Sequence, residues 1–215
     1  MISPILANIY LHYVLDEWVE KEVQPRLRGR SFLVRFADDF VIGCELEDDA
    51  RRVMEVLPKR LGRFQLNVNQ DKTRLIPFRR PNNQQESGKG DNTFDFLGFT
   101  HYWARSRSGS WVIKRKTARK RLRRSLKAIW QWCRDNRHQP VREQFKMLSL
   151  KLKGYYQYYG IRSNYQMMYK VYRRTYQAWR YWLGTRCSKG DIAWEKFKLF
   201  EQVYPLPKPR IVHAI

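Results

Sequence analysis

The sequence is poor in cysteine and contains no long apolar run. Its three cysteines, Cys44, Cys133 and Cys187, form no Cys-x-x-Cys pair and leave one over, which excludes a disulfide scaffold and a cysteine-rich zinc module. No uninterrupted apolar run approaches the roughly 20 residues that a membrane-spanning helix needs. The N-terminus also lacks the basic and then apolar order of a signal peptide. We therefore expect a protein of a reducing compartment that neither is secreted nor spans a membrane.

Negative charge is scarce in the second half of the chain. The 215 residues include 43 Lys+Arg and 20 Asp+Glu, a formal net charge of +23. Residues 1–100 hold 15 of each kind, whereas residues 101–215 hold 28 basic and 5 acidic residues. This asymmetry predicts two parts with separate roles, the second attracted to a polyanion such as nucleic acid. An anionic membrane surface is the alternative partner. The 43% hydrophobic and 15% aromatic content predicts a folded core and not a disordered tail.

The first hundred residues mix helical and β-prone segments. Ser3 as a cap and Pro4 at the first helical position predict a helix that ends near Glu22. Two β-prone runs, residues 32–36 and 40–42, predict a hairpin with an acidic tip. Further along the chain the pattern predicts a helix from Glu47 kinked at Pro58, short strands near residues 66–68 and 75–78, a loop over 79–93 and a strand over 94–99.

In the second half of the chain, a turn is predicted at residues 106–110 and a strand at 111–113. After this strand the spacing of apolar residues changes from a period of 2, typical of strands, to a period of 3.6, typical of helices. Three helices that pack as a small bundle are predicted. The second begins at Pro140, and the third runs from Asn164, a predicted cap, to Leu183. Their predicted inward faces are Ala118, Leu122, Leu126, Ile129 and Cys133; Val141, Phe145, Leu148, Leu152 and Tyr155; and Met168, Val171, Tyr172, Thr175, Trp179 and Trp182.

The tip of the predicted hairpin carries two adjacent carboxylates, Asp38 and Asp39. Enzymes that transfer phosphoryl groups with two divalent cations need carboxylates that converge on a site open to substrate oxygens. The pair could supply part of such a cage. Aspartate is also a favoured turn residue, so the pair has a purely structural interpretation as well.

Four segments occur in one order at short spacings: residues 3–11, the run Phe36-Ala37-Asp38-Asp39, residues 66–69 with Lys72-Thr73, and residues 94–99. This series resembles the palm of reverse transcriptases encoded by group II introns. Downstream, residues 152–160 and the basic region around them look like the thumb and maturase-specific domain of the same family. The resemblance implies an α+β fold, in which a partial polymerase palm with an antiparallel sheet precedes a basic, mostly α-helical bundle.

The resemblance also implies a site. Asp38 would be the stronger Mg²⁺ ligand with Asp39 as its neighbour, and Lys72 would face the phosphates of the incoming nucleotide, which makes these three the candidate catalytic residues. The residues expected near primer or nucleotide are Phe36, Ala37, Asn69, Leu97 and Gly98.

Cations interleaved with aromatic residues are typical of proteins that bind structured RNA. The predicted RNA-binding residues are Lys114, Arg115, Lys116, Arg119, Lys120, Arg123, Arg124, Lys153, Arg173 and Arg174. Tyrosines cluster between positions 155 and 181, and most of them are expected in the core.

From the resemblance we expect a truncated retroelement protein. Residues 1–100 would be a palm without its fingers and first catalytic strand, and residues 101–215 the thumb and maturase-specific domain. The expected function is to bind intron RNA and assist splicing, in the cytoplasm of a bacterial-type cell or in an organelle. One alternative is an active RNA-directed DNA polymerase that needs a separate N-terminal fragment as partner and uses a DNA primer or target; the other is a degenerate, non-functional remnant.

Overall fold

The computed structural model describes residues 3–81, 92–186, 190 and 192–213. The predicted α+β class is confirmed, because 55% of the described residues are helical and two small antiparallel sheets are present among them. The chain forms two compact units. Unit 1 comprises Met1–Leu97 and Trp103–Val112, and unit 2 comprises Gly98–Tyr102 and Ile113–Ile215.

Unit 1 begins with the predicted helix. Helix α1 spans Ser3–Leu11 and continues through π-helical turns at His12–Asp16 and Val19–Val23 to a 3₁₀ turn at Gln24–Arg26. The helix therefore ends one turn later than predicted, because Pro25 is accommodated in the 3₁₀ turn and does not stop the chain. The side chain of Ser3, the predicted cap, lies outside the described side chains.

The predicted hairpin and second helix follow. Strands β1 (Ser31–Phe36) and β2 (Asp39–Cys44) pair antiparallel. Helix α2 spans Glu47–Gly62 and contains Pro58. A small apolar core joins the N-terminal helix and α2, and one side of the hairpin packs against it. Its buried members are Val14, Leu15, Trp18, Val19, Leu57 and Leu61.

Two strand predictions are wrong. Residues 66–68 and 75–78 belong to none of the strands in the described part of the chain, although four of them are partly buried. The predicted strand over 94–99 is interrupted by a turn, so that β3 spans Thr93–Phe96 and β4 spans Phe99–Arg105. With β5 (Trp111–Thr117) they form a sheet in the order β3-β4-β5. Residues 82–91 of the predicted loop lie outside the described residues.

Unit 2 is mostly helical and also contains parts of β4 and β5. Helix α3 spans Arg119–Asp135, α4 spans Val141–Tyr159, α5 spans Tyr165–Gly184 and α6 spans Trp194–Val203. The first three match the prediction, and α6 was not predicted. Their apolar faces form one core that includes Leu122, Ile129, Cys133, Leu148, Leu152, Met168, Val171, Trp179 and Phe197.

Buried amide side chains tie the helices of unit 2 together. Asn164 occupies the N-cap position of α5 as predicted, but its side chain makes no cap hydrogen bond. Instead, Asn164 Oδ1 accepts from the backbone N of Thr117 at 2.7 Å, and Asn164 Nδ2 donates to Tyr159 O at 3.0 Å. In the same way, buried Gln144 accepts from Trp179 Nε1 at 2.9 Å.

No helix in the described ranges is long and apolar enough to cross a membrane.

Candidate functional site

The acidic pair lies at the tip of the β1–β2 hairpin, as predicted. Phe36 pairs with Asp39, which leaves Ala37 and Asp38 as a two-residue turn. Both aspartates are exposed to solvent. Ala37 has a φ of 55°, in the left-handed region where a residue with a Cβ is strained. The tip therefore presents two adjacent carboxylates on a tight, strained turn.

Arg35, which the sequence analysis missed, anchors the hairpin tip through hydrogen bonds to its backbone and to the N-terminal helix. Arg35 Nε and Nη2 donate to the two carboxylate oxygens of Asp16 at 2.7 and 2.6 Å. Arg35 Nη1 donates to Asn8 Oδ1 and to the carbonyl oxygen of Ala37, each at 2.9 Å. One guanidinium thus connects the N-terminal helix to the turn that carries Asp38.

The same ion pair decides the ionisation of Asp16. The hydrogen bond from Arg35 holds the pKa of the Asp16 carboxyl below its ordinary value of 3.8, against a smaller opposing effect of burial. The pKa of Arg35 is raised, first by its hydrogen bond to Asp16. Asp16 is therefore held in its ionised form by its pair with Arg35. A signal for this pair was available, because Arg35 shares the inward face of β1 with Leu33, where a charged side chain needs a partner.

The number of carboxylates at the hairpin tip can be compared with the number that a two-metal site requires. Such a site uses several carboxylates that flank two cations about 3.5–4 Å apart. Among the described residues, no three His, Cys, Asp or Glu side chains are grouped so that they could hold a metal ion. Asp38 and Asp39 are oxygen donors that suit Mg²⁺, but the two alone do not make a complete site. No catalytic step through a metal follows from the described residues.

Lys72 is placed by a turn that Asn69 organises. The backbone N of Lys72 donates to Asn69 Oδ1 at 3.2 Å, and Thr73 Oγ1 donates to Asn69 O at 2.9 Å. This is the turn-forming chemistry of an asparagine side chain. The Lys72 side chain is exposed. Asn69 therefore has a structural role of its own, and the ammonium of Lys72 is available to an anion.

Leu97 and Gly98 form the turn between β3 and β4. Leu97 has a φ of 48° and Gly98 a φ of 77°. A Cβ on Gly98 would lie 3.0 Å from Tyr159 Oη. Glycine is thus required at position 98 by backbone conformation, and its surroundings leave little room for a side chain.

The cations of unit 2 lie mainly on its surface. Lys114 and Arg115 of β5 are half-buried, and the backbone of Arg115 bonds with Ser163 Oγ. The other predicted RNA-binding residues are exposed: Lys116, Arg119, Lys120, Arg123, Arg124, Lys153, Arg173 and Arg174. Across the part of the chain that the structure describes, the guanidinium groups of Arg119, Arg123 and Arg124 make no ion pair. Their charge is directed at solvent.

Comparison with known proteins places unit 1 in context. Residues 1–101 match the family model described as reverse transcriptase (RNA-dependent DNA polymerase). No curated protein matches the chain. The acidic hairpin, the Asn69 turn and the Leu97–Gly98 turn all fall within the matched residues, and enzymes of that family generally use divalent metals. Residues 1–101 of this chain are therefore similar to a reverse transcriptase domain.

Proposed function

We propose that the chain is part of a group II intron reverse transcriptase/maturase, and that its basic second half binds intron RNA and assists splicing. The observation that carries the proposal is the combination of a reverse-transcriptase-like region at residues 1–101 with a helical region that holds the whole net charge of +23. In this proposal residues 1–100 are part of the polymerase palm, and residues 101–215 are the thumb and maturase-specific domain.

The charge distribution supports RNA as the ligand of the second half. Helix α3 carries Arg119, Lys120, Arg123 and Arg124 at exposed positions, while Leu122 and Ile129 of the same helix are buried. The helix therefore separates a core face from a cationic face. A cationic face without paired carboxylates attracts the phosphates of RNA and releases their counterions, so that binding follows charge and shape more than base sequence.

The proposal is tested by the salt dependence of RNA binding. The triple substitution Arg119→Gln, Arg123→Gln, Arg124→Gln should reduce the slope of log K against log salt by about 2–3, because each lost phosphate contact removes about 0.7–0.9. Binding of a group II intron transcript to the full chain is measured by filter retention over a range of salt concentrations.

The matched control removes the same charge from unit 1. Arg26, Arg52 and Arg63 are exposed, so their triple change to Gln alters net charge equally without touching the cationic face of α3. An equal fall in slope for both triples would mean that only net charge matters. A chain that does not retain the transcript in dilute salt would contradict the proposal. Acceleration of transcript splicing by the wild-type chain then tests the maturase role.

A second candidate function is RNA-directed DNA synthesis. The exposed Asp38 and Asp39 carboxylates on a turn fixed by Arg35 favour it. The remaining metal ligands would come from outside the described residues, in a separate N-terminal fragment. Primer extension on an RNA template, with such a fragment added, should be abolished by Asp38→Ala; extension that survives the substitution would contradict this function. A chain that never unfolds cooperatively would instead favour a degenerate remnant.

The proposal also has a cellular setting. Intron RNA is present where the intron is transcribed, so the proposed location is the bacterial cytoplasm or an organelle with its own transcription.

A further inference from the structure

A groove runs between helices α3 and α5 of unit 2. Its volume is about 310 Å³. The floor is apolar and consists of Leu126 and Ile129 from α3 and Ala178 from α5. The side chains that complete the lining are Trp130 from α3 and Lys170, Arg174 and Gln177 from α5. One aromatic ring and two cations thus border an apolar floor.

The ring is held in place before any ligand arrives. Trp130 is 42% exposed, and its indole stacks on the ring of Tyr181 with centroids 5.1 Å apart and an angle of 29° between the planes. The ring of Trp182 packs against it in a T-shaped arrangement, with ring centroids 5.5 Å apart. A ring supported in this way loses little conformational freedom when a ligand stacks on it.

The charge around the groove is of one sign. Helices α3 and α5 together contain eleven Lys and Arg residues and one acidic residue, Asp135. The carboxylate of Asp135 accepts hydrogen bonds from Gln131 Nε2 within α3. Lys170 and Arg174 are exposed and lie four residues apart, on the same face of α5. An anion beside this face therefore meets two cations at once.

We propose that this groove binds one unpaired nucleotide of RNA, with its base against Trp130 and its phosphate on Lys170 and Arg174. The inference rests on the proposed function and adds to it a site for single-stranded RNA. Ligand clefts have volumes of about 300–1,000 Å³, and this one lies at the small end, which suits one nucleotide and not a duplex. An acidic peptide would use the cations but has no flat ring for the supported indole, whereas a nucleotide uses both.

The test is the affinity of the full chain for a short labelled oligouridylate, measured by fluorescence anisotropy. Trp130→Leu should weaken binding about 5- to 150-fold, the range that corresponds to losing one base–aromatic stack. It should leave the salt slope unchanged, because no charge is removed. Arg174→Gln should instead lower the slope by about 0.7. The matched control is Trp194→Leu, since Trp194 is 43% exposed in α6 and does not line the groove; it should leave the affinity unchanged.

Several outcomes would overturn the inference. Trp130→Leu with no larger effect than Trp194→Leu would remove the stacking site, while retention of the intron transcript would keep the proposed function intact. If Trp130→Leu weakens the binding of a polyglutamate peptide by as much as it weakens the binding of oligouridylate, the groove is a site for an acidic protein segment. If Trp130→Leu loses helical circular dichroism, the double change Lys170→Gln, Arg174→Gln takes its place; an unchanged affinity and slope would then reject the site.

Discussion

The two units place charge in opposite ways. In unit 1 charged side chains make the structural contacts: Arg35 binds Asp16, and the carboxylate of buried Asp49 accepts from the backbone N of Arg28 and of Gly29. In unit 2 neutral amides of Asn164 and Gln144 do that work. Most of its cations are exposed, although Arg180 is half-buried and donates to the carbonyl oxygen of Ile192. Exposed cations without ion-pair partners are available for a ligand, whereas several cations of unit 1 are paired with carboxylates of the same unit.

This difference has measurable consequences. Contacts between charged groups respond to pH and, where exposed, to salt, whereas a hydrogen bond between neutral groups responds to neither directly. Amide hydrogen exchange measures the stability of the two units separately, because the exchange rate of peptides from each unit reports the local unfolding of that unit. The expected changes in stability decrease from the buried amide of unit 2, through the ion pair of unit 1, to the exposed cations of unit 2.

The largest loss should come from Asn164→Leu in unit 2. The side chain is completely buried, and without it the backbone N of Thr117 loses its partner, while the carbonyl oxygen of Tyr159 keeps only the hydrogen bond from the backbone N of Ile161. Each unsatisfied group costs about 1–3 kcal/mol. Exchange of β5 and α5 amides should accelerate accordingly at any salt concentration. The control is Gln166→Leu on exposed α5 surface, which should change the unfolding free energy by less than about 0.5 kcal/mol. Equal effects of the two changes would contradict the structural role of Asn164.

In unit 1, Arg35→Met should cost about 1.5–3 kcal/mol, the range for hydrogen bonds that involve a charged group. The Arg35 side chain is 13% exposed and the Asp16 side chain 26%, so solvent screens the pair only in part. Hairpin and α1 peptides should exchange faster, and unit 2 peptides should not change. Arg30→Met is the matched control, because Arg30 is 93% exposed and solvent screens its pair with Glu45, so this change should accelerate exchange much less than Arg35→Met.

Acid should weaken the same contact gradually. The pKa of Asp16 is lower in the folded protein than its ordinary value of 3.8, so the stabilisation is complete above that value and is lost as the pH falls through the folded pKa. The unfolding free energy of unit 1 should therefore decline below about pH 4 in the wild type and decline less in Asp16→Asn. Parallel curves for the two proteins would show that Asp16 is not the responsible group.

The smallest change should follow removal of surface charge from unit 2. Arg119, Arg123 and Arg124 are exposed and lack ion-pair partners among the described residues, so the triple change to Gln should alter the unfolding free energy by no more than about 0.5 kcal/mol per residue. The measurement is urea unfolding followed by circular dichroism. A loss as large as that of Arg35→Met would mean that these cations have a structural role.

Sequence reasoning succeeded where local pattern and tertiary packing agree. The apolar spacing of α3, from Leu122 to Cys133, predicts the face that is buried, since a period of 3.6 leaves few alternatives. The hairpin was predicted because β-prone runs of matched length flank a polar pair. Asp38 and Asp39 followed from that turn, so the acidic part of the site was accessible from sequence.

The failures arise where a distant partner decides the outcome. Residues 66–68 and 75–78 have strand propensity, but strand formation needs a neighbouring edge, and no strand in the described ranges pairs with them. Leu97 takes a positive φ within a β-prone run, which hides the turn at Gly98. Asn164 has the side chain of a cap but bonds to Thr117, far away in sequence. The ion pair between Arg35 and Asp16 was missed for the same reason, since only folding brings these two residues together.

The bond from Arg35 to the carbonyl oxygen of Ala37 has a mechanical consequence. Because the same guanidinium also binds Asn8 and Asp16, a movement of the turn away from the N-terminal helix would break at least one of these hydrogen bonds. The carboxylate of Asp38 is therefore held in position by residues far from it in sequence, and a substitution at Asn8 or Asp16 should loosen the turn without altering the hairpin itself.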